Sequence, residues 1–229
     1  MGVIELKNVS YSYPNNPVIK NMDYEFQTGL VYAITGKSGA GKTTLLSMLS
    51  GIMDPTSGYI VYNGYPIDES DKYVYRSRDV GVIFQEYNLL PKFTVRENIQ
   101  LSLEISGKKL SELNGFGTFR TKKDYIDQLI REVGLDPEEV GNRRILKISG
   151  GQQQRIAIAR ALSFQPGVIL ADEPTGNLDI DTSIDIMNVF IHLAHELNRC
   201  VIIVTHSPQI ADLADVRLDL KPLSKYKRL

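Results

Sequence analysis

Cysteine is nearly absent. Cys200 stands alone in 229 residues, so no disulfide can form within the chain. That fits a reducing compartment, and beside Val201 the thiol reads as a small buried hydrophobe. Long apolar runs are missing as well. Val201-Ile202-Ile203-Val204 is typical of the longest, far short of the roughly 20 residues that span a bilayer. No charged, then apolar, then small-residue leader opens the chain. Leu6 stands where a myristoylation signal after Gly2 needs Ser or Thr. The expectation is a soluble protein that reaches a membrane only through a partner. An excess of one charge is also lacking: 26 basic against 27 acidic residues leave −1, so composition gives no general pull toward nucleic acid. A hydrophobic share of 42% suits a globular chain, and the length suits one large α/β domain or a core with a subdomain.

What is present centres on Gly36-Lys37-Ser38-Gly39-Ala40-Gly41-Lys42-Thr43-Thr44. Two glycines with four residues between them, then Lys and Thr, match the phosphate-binding loop. The apolar run Val31-Tyr32-Ala33-Ile34 leads in, and Leu45 to Leu49 leads out as a helix that Gly51 stops. Gly36, Gly39 and Gly41 allow a backbone path that turns successive N–H groups inward as a nest for an anion. The helix N-terminus adds about half a positive charge. Lys42 supplies a full charge for β- and γ-phosphates, and the Thr43 hydroxyl suits Mg²⁺. A glycine-rich turn before a buried helix is the plain alternative, disfavoured because every required residue falls in place.

Upstream, residues 3 to 35 read as strands. Tyr11 and Tyr13 share one face, and either ring could stack on a base or simply pack; spacing leaves the two even. Pro55 to Gly58 is a turn before the strand Tyr59 to Tyr62, and Asn63-Gly64 is the next turn. Val80 to Phe84 reads as a buried strand running into Gln85. A Gln there could reach a metal or an attacking water, or be a solvated loop residue. From about 94 to 148 the pattern is helical, with a capping box at Thr121 to Asp124, an apolar face of Ile126, Leu129, Ile130 and Val133, and a new start at Asp136-Pro137. Ser106 to Arg120, polar and rich in Gly and Lys, reads as a mobile surface insertion.

Ser149-Gly150-Gly151-Gln152 opens another helix. It could be a second anion site or a plain N-cap. Val168 to Ala171 reads as a buried parallel strand ending in Asp172-Glu173. Carboxylates there sit where α/β folds bind ligands: Asp172 could hold Mg²⁺ and Glu173 could polarise a water. His192 and His195 share a helix but are not an i, i+4 pair, and read as solvent-facing. Cys200 to Thr205 is a further buried strand with His206 at its end, either functional or a helix cap. The tail residues Lys221, Lys225, Lys227 and Arg228 read as a solvated end, with contact to an anionic membrane as the sharper alternative.

Together these residues resemble the nucleotide-binding subunit of an ABC transporter, over nearly the whole chain and in the family's order. Lys42 lies in the phosphate loop and Gln85 matches the Q-loop. Ser149-Gly150-Gly151-Gln152 matches the signature motif. Asp172 and Glu173 match the Walker B aspartate and catalytic glutamate, Asn177-Leu178-Asp179 the D-loop, and His206 the switch histidine. Tyr13 falls at the adenine-stacking position. Ala171 to Asp179 and Leu89-Leu90-Pro91 look most like the branch of lipoprotein-releasing, macrolide-exporting and peptide-resistance transporters and a cell-division relative. Two departures are Ile148 in place of the signature's usual Leu and a segment 106–120 longer than is usual. Only 229 − 206 = 23 residues follow His206, leaving no room for a regulatory domain.

The resemblance implies a single ABC ATPase domain over residues 1–229. Its RecA-like P-loop NTPase core and antiparallel β region would cover 1–87 and 166–229, with a helical subdomain at 88–165. It implies ATP held by Tyr13, Gly36, Ser38 to Thr44, Ser149 to Gln152 and Asp179, and Mg²⁺ held by Thr43, Gln85 and Asp172. Glu173, His206, Gln85 and Lys42 would act in hydrolysis. Two copies would pair head to tail at the cytoplasmic face of the membrane, bound to a separate permease, with no nucleic acid expected. Export or extraction of a peptide, lipid-linked or drug-like substrate is the first reading. The same ATPase driving a cell-division or mechanotransmission complex is the alternative. A soluble ribosome- or DNA-acting ABC protein fits less well because there is one cassette. A P-loop kinase leaves Ser149 to Gln152 unexplained.

Overall fold

The computed structural model describes residues 3–14, 16–68, 71–113 and 115–223. Asn15, within the turn expected at 14–17, and the basic tail residues Lys225, Lys227 and Arg228 lie outside the described residues. In chain order the first half contains β1 (Ile4–Tyr13), β2 (Asn16–Phe26), β3 (Val31–Thr35), α1 (Lys42–Leu49), β4 (Ser57–Tyr62) and β5 (Tyr65–Pro66). Then come α2 (Lys72–Val74), which runs into a π turn at Tyr75–Asp79, and β6 (Val80–Ile83). The second half contains α3 (Val95–Ser106), α4 (Lys122–Glu132), α5 (Pro137–Val140), α6 (Gly150–Leu162), β7 (Val168–Asp172), α7 (Ile180–His195), β8 (Cys200–Val204), α8 (Pro208–Ala211) and β9 (Val216–Asp219).

The strands form two sheets. β2-β1-β4-β5 is antiparallel, and β6-β7-β8-β3-β9 is parallel. The parallel strands are near-continuous apolar runs because both their faces are covered. Alternation along each strand divides the core. Val31, Ala33, Ile169, Ala171, Val201 and Ile203 face the helical side, which includes α6 and α7. Tyr32, Ile34, Val168, Leu170, Ile202 and Cys200 face α1 and the antiparallel sheet. Burial pushes the Cys200 thiol up to about 12, so it packs as a hydrophobe, as its setting suggests.

Strand order is what builds the site. β7, β8 and β3 are neighbours, so Asp172, the residues after Val204 and the loop after Thr35 emerge side by side at one sheet edge. That carboxyl-end edge is where such sheets bind ligands.

On the helical side, α3, α4 and α6 pack on one another. The capping boxes Thr94/Glu97, Thr121/Asp124 and Ser149/Gln152 start these helices. Arg96 on α3 ties three segments together. Its Nε donates to Asp127 of α4 at 2.7 Å, and its two remaining nitrogens donate to Asn142 Oδ1 (2.7 Å) and the Pro137 carbonyl (2.9 Å). Lys123 also donates to Asp127 at 2.8 Å. Ile148, which replaces Leu, is buried in the same cluster.

The segment 106–120 corrects the expectation of a mobile insertion. Leu113 is buried, and Phe116 and Phe119 pack against Tyr125 at ring distances of 6.3 and 5.2 Å. Lys108 Nζ donates to the carbonyls of Arg78 (3.0 Å) and Phe164 (2.8 Å). Three apolar anchors within polar sequence hold the segment down.

Candidate active site

The phosphate loop leaves β3 at Gly36, whose φ is +143°. A Cβ there would meet the Leu220 carbonyl oxygen at 2.4 Å, so glycine is obligatory. Gly39 has φ +79° with nothing within 4 Å of a Cβ position, so the loop stays open to an approaching anion. The Lys42 ammonium turns back to donate to the Gly36 carbonyl at 2.8 Å. The Ala40 N–H donates to Lys37 O at 3.1 Å, a bond that shapes the loop. Tyr13, Ser38, Gly39, Gly41, Lys42, Thr43 and Thr44 line one cavity of about 280 Å³.

The structure separates the two tyrosines. Tyr13 is 43% exposed at the cavity rim, with its hydroxyl 3.4 Å from Thr44 Oγ1. Tyr11 is half-buried against the core and meets Tyr13 edge-on at 5.0 Å. Tyr13→Ala is therefore expected to weaken ATP binding by roughly ten- to a hundredfold, from about 1–3 kcal/mol of base stacking. Tyr11→Ala should spare affinity and lower stability. Equilibrium nucleotide titration of both variants checks this, and a larger loss at Tyr11 would mean that the other ring stacks.

Asp172 ends β7. Burial raises its pKa above the ordinary 3.8, as does the nearby Glu173, while a hydrogen bond from Thr43 and the charge of Lys42 oppose the rise. Glu173 has a left-handed backbone, φ 47°, which a non-glycine residue adopts only when its surroundings impose it. Its N–H donates to the Val204 carbonyl at 2.9 Å, tying it to β8. Its Oε2 accepts from the His206 N–H (3.3 Å) and lies 2.8 Å from His206 Nδ1. Gln85, after β6, lies against the loop after β7: Asn177 Nδ2 donates to its carbonyl at 3.3 Å, and its amide nitrogen lies 3.1 Å from where a Gly176 Cβ would sit. Sequence carries no signal for that contact, because the partners are 92 residues apart. Thr43 and Asp172 offer hard oxygen donors that suit Mg²⁺. Among the described residues no group of three or more His, Cys, Asp and Glu is arranged to hold a metal ion by itself, and Mg²⁺ ordinarily completes its shell with water and phosphate oxygens.

A second cavity of about 410 Å³ is lined by Ser149, Gly150, Gly151, Gln152, Asn177 and Asp179, among others. Ser149 and Gln152 engage each other's backbones as a reciprocal cap at 3.3 and 3.0 Å. Asp179 caps α7, accepting from the Thr182 N–H (2.9 Å) and hydroxyl (2.7 Å), and those bonds hold its carboxyl below the ordinary range. The two cavities share no residue. Lys42, Thr43, Asp172, Glu173 and His206 are thus brought to one sheet edge, while Ser149 to Gln152 and Asp179 are not brought to Lys42. His192 and His195 are partly exposed beside Glu132 (3.2 Å) and Asp215 (3.0 Å), outside both cavities.

A family model described as "ABC transporter" matches residues 19–176. The chain belongs to the ABC transporter family. It is 39% identical over 222 residues to an uncharacterised ABC transporter ATP-binding protein, YclH of Bacillus subtilis, covering 96% of this chain and 94% of that one. It is 36% identical to the lipoprotein-releasing system ATP-binding protein LolD 1 of Rhodopirellula baltica, with coverages of 95% and 93%. It is also 36% identical to the macrolide export ATP-binding/permease protein MacB of Syntrophobacter fumaroxidans, covering 93% of this chain and 30% of that longer protein. Among solved structures, a dimeric post-hydrolysis state of the ATP-binding cassette MJ0796, bound to ADP and Pi, superposes with TM-score 0.80 at 30% identity, covering 96% of each chain. The ABC transporter chain described here is an ATP-binding subunit and an ATPase, in the branch its motifs resemble. Its fold, a P-loop NTPase core with an antiparallel β sheet and a helical layer, is the expected one. Among the described residues no helix is long and apolar enough to cross a membrane.

Proposed function

We propose that two copies pair head to tail, each nucleotide lying between the Lys42 cavity of one and the Ser149 cavity of the other. Their closure would power a separate membrane permease at the cytoplasmic face, exporting or extracting a peptide, lipid-linked or drug-like substrate. The observation that carries the pairing is the separation of the two cavities within one chain. Support for the permease comes from MacB, an ATP-binding/permease protein whose sequence includes a match to this chain, and support for export from the names of MacB and LolD 1.

Bound ATP with Mg²⁺ would supply the cleavable phosphoanhydride and a divalent charge that offsets the negative charge of its phosphates. The remaining work falls to the chain. Lys42 would exchange the Gly36 carbonyl for phosphate oxygens, and Thr43, Asp172 and Gln85 would hold the metal. Glu173 orients and accepts a proton from the attacking water, with His206 fixing the carboxylate. The Ser149 helix end, capped by Gln152, presents its dipole from the partner. Residues 88–165 would turn as a unit against the core at 1–87 and 166–229.

The test mixes Lys42→Ala and Ser149→Arg chains. Each mutant homodimer has no whole site, whereas the heterodimer has one. The expected result is one occluded slowly hydrolysed nucleotide per heterodimer, and none in either homodimer. Confirmed heterodimers that occlude nothing would mean that sites form within one chain. Purification from detergent-solubilised membranes should also recover a multi-span protein in stoichiometric amount. Recovery of only soluble partners would remove the permease.

A further inference from the structure

Gln85 is followed, two and three residues later, by a costly piece of backbone. Tyr87 and Asn88 both have left-handed φ, 56° and 50°, in succession and without glycine. One side chain from outside the loop secures them. Arg160, in the last turns of α6, donates from Nη2 to the Tyr87 carbonyl at 2.9 Å and from Nη1 to the Asn88 carbonyl. Burial lowers the Arg160 pKa, and among the described residues no carboxylate is bonded to it. A partly buried guanidinium facing two carbonyls, with no counter-charge, is a poor device for stability alone. Its planar fork does fit two successive carbonyls.

The same turn touches the other end of the same helix. The Tyr87 hydroxyl lies 3.4 Å from where a Cβ on Gly150 would sit, at the first residue of α6. On the opposite side, Asn98 of α3 clamps Leu90, accepting its N–H at 2.8 Å and donating to its carbonyl at 3.2 Å. The Gln85 carbonyl accepts from Asn177 at one end of this turn, Arg160 of α6 grips the turn itself, and the Tyr87 hydroxyl lies beside the start of the same helix.

We infer that Arg160 is a positioning residue for ATP hydrolysis. It locks Tyr87 and Asn88 in their left-handed turn, so that Gln85's placement and Tyr87's seat on the Gly150 end of α6 change together. The inference deepens the proposed function and rests on its role for Gln85.

The test uses Arg160→Lys in the full chain, because lysine keeps the charge but cannot bond both carbonyls as a fork. Turnover per nucleotide-binding site should fall about tenfold with KM for ATP unchanged within twofold. A loss of structure alone would remove binding sites and leave turnover per site intact. Asn88→Val provides an independent arm, since Asn88 is exposed and a β-branched residue resists left-handed backbone. It should give the same kcat loss at unchanged KM even if Arg160→Lys does not fold. Combining Arg160→Lys with Gln85→Ala should cost no more than the larger single loss. Wild-type kcat in Asn88→Val, or losses that multiply in the double variant, would overturn the inference. A silent Gln85→Ala beside a slow Arg160→Lys would remove the role proposed for Gln85 while keeping Arg160 as the holder of the turn.

Discussion

Glu173→Gln is expected to leave ATP binding intact and cut turnover by roughly a hundredfold or more, the range of general-base effects. The geometry makes the substitution informative. Glutamine has the same shape, so the left-handed backbone and the bond to the Val204 carbonyl are preserved. Its side-chain oxygen can still accept the His206 N–H that Glu173 accepts at 3.3 Å. What is lost is the negative charge facing His206 and the capacity to take a proton. A chain that binds nucleotide and cannot cleave it should accumulate as the ATP-bound dimer, seen as an earlier peak on size exclusion with ATP and not with ADP. Near wild-type turnover would exclude Glu173 as the group that activates water.

Arg96→Met is expected to destabilise the fold by about 3–5 kcal/mol at pH 7, the cost of breaking a buried pair by removing one partner. Asp127 would keep only the mostly exposed Lys123, Asn142 Oδ1 would lose its donor, and the Pro137 carbonyl would keep only the Gly141 N–H. The pH dependence follows from Asp127. Burial alone would push its carboxyl up, but the bonds from Arg96 and Lys123 outweigh burial and hold it below the ordinary 3.8. A carboxyl whose folded pKa is depressed contributes stability above its unfolded value and loses it as pH falls through the folded one. The gap between wild type and Arg96→Met, measured by urea unfolding, should therefore be widest near neutrality and shrink below about pH 4. A gap under about 1 kcal/mol, or one independent of pH, would show that the pair contributes little.

Much of the site was legible because it lies where strands stop. The apolar runs ending at Ile34, Ala171 and Val204 mark parallel strands, and Lys42, Asp172, Glu173 and His206 follow those ends closely. The caps were legible too, since Ser149 with Gln152 and Thr121 with Asp124 are local spacings. What the pattern could not give is pairing at a distance. β3 lies between β8 and β9, far along the chain, and nothing in its own residues names those neighbours. Composition misled at 106–120, where the average polarity hides Leu113, Phe116 and Phe119. The left-handed backbone of Glu173, and the return of Lys42 to Gly36, depend on surroundings that no short window contains.

Cys200 has a practical consequence. The only thiol in the chain lies wholly inside the central sheet, with its pKa pushed up to about 12, so a thiol-reactive reagent finds almost no thiolate in the folded protein. Modification must wait for the sheet to open, and its rate then meters that opening. The native background is chemically quiet. A cysteine placed at an exposed position can carry a dye or spin label while Cys200 stays silent, and the same sample reveals, by a second and slower modification, when the protein comes apart.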